Sequence, residues 1–516
     1  MLSQAVRWLT ERRLASFSGG IRPPRQTQRT LRSRVMATPI PQRLFMPLTT
    51  YSKQERLTPV VRLGESVRKY QCLATHLQDP DLILHAPTSG IITAISRDTL
   101  EIQSDGLDQA LALRGNTTEK ITQAAILQSI GRAGIVGQGG AGYPTVKKIR
   151  LAASAGAKVL IVNAAECEPF VCCDEALIRE FADQVVKGAE YLMQASAADA
   201  GIIAIESDKH EAIAAIQEPL KASSLTLRLL AAKYPAGDER ILIKSLTGQE
   251  IPDSAHPAER GILVQNAGTA KAVFDAVKLG QPSISRIVTV AGAPLKTPKN
   301  FSALLGTPVS DLLSWCGFEH ESHSEEPLAH LQHTDHSEII VGGPLTGRRA
   351  DMFCESVEQT TTCVIATDKF NFPASGPEHA CIRCGFCADA CPVGLLPQQL
   401  LLYSRNFDEH NLNSHGLHSC IECGACAYVC PSKIPLVQHY RQSKEILRDS
   451  AAERSESQLR QARYRHWQTR QGKTASHQVK QAAEPERETP FSRENAKSEI
   501  AKAVARVKEK KSGKRQ

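Results

Sequence analysis

The 516-residue sequence contains no run of about 18 consecutive apolar residues, the least that reads as a membrane-spanning helix. Its apolar stretches, such as residues 159–162, are strand-sized, so the chain is expected to cross no bilayer by itself. The opening 17 residues lack an apolar centre and a small-residue cleavage site, which argues against a secretory leader. Without export, a disulfide framework has no oxidising compartment in which to form. Aromatic residues make up only 5%, and residues 441–516 hold just three, Tyr464, Trp467 and Phe491, too few to interleave with the basic residues as base-stacking platforms would. Nucleic acid is therefore not an expected partner. What the chain does have is a packed protein's share of hydrophobic residues, 41%, and enough length for three or four domains.

Charge is unevenly placed. The overall net charge is +8, but residues 441–516 carry +10, residues 1–34 carry +7, and the middle is acidic at −9. Basic extensions on an acidic body are expected to contact something acidic, either an anionic membrane surface or a partner protein. Leu2, Ala5, Trp8 and Leu9 fall at helical spacing and would suit a short membrane-surface helix; a frayed or docked terminus fits them equally.

Cysteine spacing is the strongest signal. Eight of the 15 cysteines form two copies of one pattern, Cys381-x2-Cys384-x2-Cys387-x3-Cys391-Pro392 and Cys420-x2-Cys423-x2-Cys426-x3-Cys430-Pro431. This is the bacterial ferredoxin run for [4Fe–4S] clusters, in which the fourth cysteine of each run serves the other cluster. Cys381, Cys384, Cys387 and Cys430 are thus assigned to one cluster, and Cys420, Cys423, Cys426 and Cys391 to the second. Three thiolates two residues apart wrap one face of a cuboidal cluster, while Gly385 and Gly424 let backbone N–H groups approach its sulfides. Structural zinc prefers separated pairs to triplets. Two clusters held this close make an electron wire, although clusters serving purely as structural staples remain the plainer alternative. The other cysteines (72, 167, 172, 173, 316, 354 and 363) show no ligand-like grouping and read as free thiols.

Residues 137–145 read Gly-Gln-Gly-Gly-Ala-Gly-Tyr-Pro-Thr. A helical pattern precedes the loop over 120–132, another follows from 145 to 153, and only then does a strand arrive at 158–166. That order is wrong for a Rossmann dinucleotide site, though backbone amides of the loop would still suit a phosphate. A glycine turn packed on a helix is the alternative. The strand ends in Asn163-Ala-Ala-Glu166-Cys167-Glu168-Pro169, which sets an amide and two carboxylates where α/β sheets bind ligands. Further on come Lys233-Tyr-Pro-Ala-Gly-Asp-Glu-Arg240 and Val264-Gln-Asn-Ala-Gly-Thr269.

Taken together, these motifs resemble the flavin-binding domain of the NADH-oxidising subunit of respiratory complex I. Followed by two ferredoxin runs, the chain from about Phe17 to Arg441 is similar to the RnfC, or RsxC, family of the Rnf electron-transport complex. The resemblance implies that Gly137, Gly139, Gly140 and Gly142 line the FMN phosphate and nicotinamide site, with Lys148 nearby. It places Asn163, Glu166 and Glu168 toward flavin and NADH, with Gly237, Asp238, Glu239, Asn266 and Thr269 completing the cradle. Tyr143 stands where the family has Phe, and Ala165 where complex I has Asp, so one carboxylate contact is missing. No Ser-Gly-Ala-Thr attachment site is present, so the FMN would be non-covalent.

The expected fold is multidomain α/β and α+β. A basic extension (1–35) precedes a barrel-sandwich-like domain (36–115), where residues 61–67 and 85–95 resemble the halves of a biotinyl/lipoyl hammerhead. No lysine lies between Tyr70 and Leu100, so a carrier function is rejected and only the scaffold kept. An α/β flavin-binding domain (116–280), a β-grasp module (281–350), a bacterial-ferredoxin-like two-cluster domain (366–440) and a basic helical or disordered tail (441–516) follow. The histidine-rich tract 319–336 is read as a solvated loop in preference to a metal site, and residues 342–347 as a tight turn beside the clusters.

The function implied is that of a peripheral subunit on the cytoplasmic side of a bacterial inner membrane. It would pass electrons among NADH, FMN, two [4Fe–4S] clusters and membrane subunits of an ion-translocating complex, with ferredoxin or a redox-sensing regulator as further partners. A soluble NADH-dependent diaphorase subunit, and an iron–sulfur scaffold without a nucleotide site, are the alternatives.

Overall fold

The computed structural model describes residues 14–50, 55–116, 120–319, 337–368, 377–483 and 493–512. The first helical turns considered above and His320, His323, His330, His333 and His336 lie outside the described residues.

Alternation builds the first sheet. In Arg43–Pro47, Leu44 and Met46 point inward and are fully buried, and Leu100 and Ile102 do the same in Thr99–Ser104. These strands pair antiparallel with each other, Thr99–Ser104 pairs antiparallel on its other side with Gly90–Ile95, and that strand in turn pairs with Ser66–Val67. A smaller sheet, Thr58–Pro59, Cys72–Thr75 and Ile83–His85, shares the same core through Leu73, Ala74 and Leu84.

The second sheet is parallel, in the order Thr226–Leu230, Ala200–Glu206, Val159–Ala164, Ile262–Asn266. Its central strands are continuous apolar runs because both faces are covered. Leu160 and Val162 pack under the helices Cys173–Ser196 and Ala267–Phe274, while Val159 and Ile161 face Glu239–Thr247. The helix–loop–helix–strand order read from the glycine segment is present as Gln123–Arg132, the loop, Thr145–Ser154 and Val159–Ala164.

A third, mixed sheet holds a hairpin of Ser285–Ala291 and Lys299–Leu304, the helix Val309–Trp315, and Cys363–Asp368 returning parallel to the first strand. Hairpin, helix and parallel return is a β-grasp order. The sheet runs past residue 350 to Asp368 and takes in Met36–Ala37 from ahead of the first sheet.

The amino-terminal segment corrects one expectation. The extension was expected to meet an acidic partner outside the chain, but part of it, within residues 14–35, docks on the chain itself. Ala15 accepts from Ala231 N–H at 2.8 Å and donates to the Leu229 carbonyl at 3.0 Å, covering the open edge of the parallel sheet. Arg25 pairs with Glu175 at 2.6 Å and Asp208 at 3.0 Å, so the acid that this arginine meets belongs to the same chain.

The chain divides into two units at residues 444/445. The long helix Leu436–Ala483 runs out of the first unit, and Arg493–Ser512 is also helical. Among the described residues no helix is long and apolar enough to cross a membrane.

Candidate functional site

Each cysteine run turns through a residue and a glycine with left-handed backbone before a one-turn helix. In the first run these are Arg383 (φ 57°) and Gly385 (φ 86°) before Phe386–Asp389; in the second, Glu422 (φ 55°) and Gly424 (φ 77°) before Ala425–Tyr428. The turns bring the thiols together in two pockets. Cys381, Cys384, Cys387 and Cys430 line one, with Gln398, Leu401 and Ile434. Cys391, Cys420, Cys423 and Cys426 line the other, with Leu400, Val437 and Tyr440. Each set thus takes its fourth cysteine from the opposite run.

The donor chemistry fits an iron–sulfur group. Burial pushes the Cys423 thiol up to about 12 and Cys426 higher still, and it raises Cys387 and Cys420 as well. Such thiols keep their protons at neutral pH unless a metal displaces them. The pocket walls offer four sulfurs and apolar side chains, and Leu395 N–H already points to Cys391 Sγ at 3.3 Å, the type of bond that tunes a cluster.

The second candidate site lies at the carboxyl ends of Val159–Ala164 and Ile262–Asn266. The glycine loop closes on itself, Gly137 N–H donating to the Tyr143 carbonyl at 2.8 Å and Gly142 N–H to the Gly137 carbonyl at 3.2 Å. Gln138 N–H donates to the Thr269 hydroxyl at 2.9 Å, which seats the loop on the helix Ala267–Phe274. A Cβ on Gly139 would lie 3.4 Å from Asn266 Cβ, and one on Gly237 only 2.8 Å from the Ala165 carbonyl. Gly140, at φ 113°, has open space beside it. Asn163 donates to the Gly237 carbonyl at 2.8 Å, and Lys148 pairs with Glu239 at 2.9 Å. Asp238 caps the helix Glu239–Thr247, accepting from Arg240 and Ile241 N–H at 3.0 Å each. Asn266 caps Ala267–Phe274 through Gly268 N–H at 2.8 Å and donates to Asp174. Glycines forced by close approach, amides at strand ends and helix amino termini fit a flavin phosphate.

Two expected residues have other partners. Glu166 accepts from the Asp174 and Glu175 N–H groups at 2.8 and 2.7 Å, capping the helix Cys173–Ser196. Glu168 accepts from Leu345 N–H at 2.8 Å and from the Thr346 hydroxyl, holding the 342–347 turn. The helix starting at Cys173 brings its unsatisfied N–H groups back to Glu166, and the 342–347 turn takes up Glu168, so both carboxylates already have partners.

Sequence reasoning missed a buried charge group behind this end of the sheet. Lys209, 1% exposed, stands 3.0 Å from Glu175 and 3.8 Å from Glu206, and Glu206 accepts from Glu166 N–H at 3.1 Å. Burial, opposed by Lys209, pushes Glu206 up to about 7. Burial and then Glu166 do the same to Asp174. It also missed that Tyr143 and His256 face each other with ring centroids 5.4 Å apart, the Lys147 ammonium lying 5.8 Å from the Tyr143 ring. Glu206–Lys209 and Tyr143–Lys147 are local pairs, three and four residues apart, but the contacts to Glu175, Glu166 and His256 leave no local spacing signal.

Comparison with known proteins agrees with this layout. Residues 130–275 match the Nuo51 FMN-binding domain family, residues 15–113 the RnfC barrel sandwich hybrid domain, and residues 380–434 a 4Fe-4S dicluster domain. The fold is thus multidomain α/β and α+β as expected. The chain is 38% identical over 469 residues to the RnfC-type subunit of the ion-translocating oxidoreductase complex of Pseudomonas aeruginosa, covering 89% of this chain and 59% of that one. Its counterpart from Yersinia enterocolitica is 39% identical, with 85% and 63% covered, and that of Yersinia pestis 39%, with 88% and 73% covered. The chain therefore spans about three fifths of the length of the first two. A chain of a crystal structure titled as an NAD+-reducing [NiFe]-hydrogenase superposes at a TM-score of 0.44 with 20% identity, over 63% of this chain and 64% of that one. At that score it carries no inference.

Proposed function

Because this chain belongs to the RnfC family of ion-translocating oxidoreductase subunits, we propose that it is the peripheral electron-transfer subunit of such a complex. It would take electrons from NADH through non-covalent FMN to two [4Fe–4S] clusters and on to membrane subunits. The observation that carries this reading is the cross-paired arrangement of the eight cysteines, with the second set packed directly against the flavin-type domain: Cys423 shares an apolar cluster with Cys167 and Tyr234.

When bound, the flavin converts a two-electron hydride donor into a source of single electrons. The chain's own part is placement. The loop at Gly137, Gly139, Gly140 and Gly142 would offer its backbone to the phosphate, with Lys148 on the helix that follows, paired with Glu239. Asn163, Asn266 and Thr269 would hold the flavin through amide and hydroxyl groups already oriented by Gly237, Gly268 and Gln138. Asp238 and Glu239 hold the facing turn, and Glu166 and Glu168 act one layer back by fixing the backbone beneath. Tyr143 and His256, tilted 37° to each other, would give a base of NADH an aromatic edge to pack on, with the Lys147 ammonium beside the Tyr143 ring as a nearby positive charge.

The site of action would be the cytoplasmic face of a bacterial inner membrane, reached through partner subunits and an anionic lipid surface met by the basic tail. Ferredoxin or a redox-sensing regulator would be a further electron partner. The testing experiment is an anaerobic absorbance titration of the cluster-reconstituted protein with NADH. Bleaching of both flavin and iron–sulfur bands is expected. Clusters untouched by NADH, with no flavin released on denaturation, would leave a scaffold or relay in place of this function.

A further inference from the structure

Resting on the FMN reading above, we infer that the second cysteine set exchanges electrons with the flavin directly, and that Tyr234 is the positioning residue that fixes the two sites against each other. Tyr234 is 3% exposed and three residues before Gly237 of the flavin cradle. Its phenol donates a hydrogen bond to the carbonyl of Cys423. Its backbone is held on the opposite side by Ile21, through two bonds of 2.9 Å. One residue earlier in the chain, Gly20 N–H donates to the Ala390 carbonyl at 2.9 Å, and a Cβ on Gly19 would lie 2.4 Å from the Cys391 carbonyl. The same strap therefore grips both Tyr234 and the backbone of a second-set cysteine.

Around this tyrosine the two sites share side chains. Cys167, from the strand end that carries Asn163, packs with Cys423, Leu345 and Ala425 in one apolar group. Ser419, just before the second run, donates to Asp253, which follows the helix capped by Asp238. The first set has a different outlook: Cys381 and Cys384 are exposed, and Ile382 and Phe386 stand 67% and 55% exposed beside them. A group in the second pocket is walled in by the flavin-type domain, and one in the first pocket faces out.

The electron count is simple. NADH gives a hydride, two electrons and a proton, and leaves as NAD+. Electrons then leave the flavin site one at a time. Each reduces the second cluster, which is reoxidised as it reduces the first, and a one-electron carrier protein outside this chain reoxidises that one. The hydride's single proton goes to water once both electrons have left.

The test uses the full reconstituted chain, with FMN and iron measured first. Tyr234→Phe should keep FMN and about eight irons, yet bleach its iron–sulfur band about tenfold more slowly with NADH, because small misplacements between reacting centres are expensive. Bleaching by dithionite should be unchanged, and in a redox titration followed by electron paramagnetic resonance only one of the two cluster midpoints should move. In Cys423→Ala the first cluster should respond to dithionite but not to NADH. Rapid NADH reduction of the first cluster in that variant overturns the inference; should the variant fail to fold, so does a Tyr234→Phe protein with wild-type rate and both midpoints unmoved. Wild-type protein that binds no FMN overturns the functional reading itself, and this inference with it.

Discussion

The two cysteine pockets are built from the same spacing and differ in almost everything around it. In the first, Cys381 and Cys384 are exposed, and nothing lies within 4 Å of where a Cβ on Gly385 would stand. In the second, Cys426 is buried, and a Cβ on Gly424 would meet the Leu345 carbonyl at 3.0 Å. A ligand motif sets which sulfurs come together; what it is packed against sets access, dielectric and the route by which an electron arrives.

The comparison breaks most visibly on removing a ligand. Cys426→Ala and Cys384→Ala should each lose about half of the iron. Only Cys426→Ala should also loosen the flavin-type domain, lowering its stability by roughly 2–4 kcal/mol, against under about 1 kcal/mol for Cys384→Ala. Iron content and a denaturant titration of each variant check both numbers. Equal losses would mean that the second pocket does not lean on its neighbour.

The paired glycines give a smaller, sharper version. Gly385→Ala carries the left-handed backbone penalty alone, about 1–2 kcal/mol. Gly424→Ala adds a push against Leu345, whose N–H is held by Glu168, and should lose about 1–3 kcal/mol more. Retention of iron–sulfur absorbance in denaturant would rank them.

How much of this was legible in the sequence follows the range of each interaction. The cysteine sets were, because three ligands of each are local and the fourth is fixed by the repeat. The glycine loop and its strand end were, because periodicity and motif order are local too. Tyr234 was not: its partner lies 189 residues away, and nothing in Lys233-Tyr-Pro-Ala-Gly marks it. The basic extension was expected to meet an acidic surface outside the chain because eight arginines in residues 1–34 say nothing of Glu175 and Asp208, which the fold brings to Arg25. Glu166 was placed on the ligand because a strand-end carboxylate looks the same whether it meets a ligand or caps the next helix.

The buried charge group behind the strand ends of the flavin-type site should also titrate. Burial holds Glu206 at about 7 in the folded chain, above its ordinary 4.5. The folded state then binds the proton more tightly than the unfolded one, so this group's contribution is complete below about pH 4.5 and is lost as pH rises to about 7. Glu206→Gln, which keeps an acceptor for Glu166 N–H, should flatten that part of the stability curve measured by denaturant titration. An unchanged slope would assign the titration elsewhere.

The smallest effect separates the pockets by sign. Arg383 and Glu422 occupy the same place in the two runs, both with left-handed backbone. Replacing either by glycine relieves about 1–2 kcal/mol of backbone penalty and costs roughly 0.5–1 kcal/mol in chain entropy. For Arg383→Gly that leaves a gain of about 0.5 kcal/mol. Glu422 differs because it also accepts from Arg441 at 3.0 Å and Lys444 at 2.9 Å. Lys444 in turn donates to the Cys420 carbonyl at 2.6 Å, so the pair braces a ligand loop. Losing two partly exposed ion pairs, each worth up to about 1 kcal/mol, turns the gain of Glu422→Gly into a net loss. Denaturant midpoints of the two variants, followed by iron–sulfur absorbance, should therefore move in opposite directions; movement in the same direction would mean that the pairs around Glu422 contribute nothing to holding the second pocket.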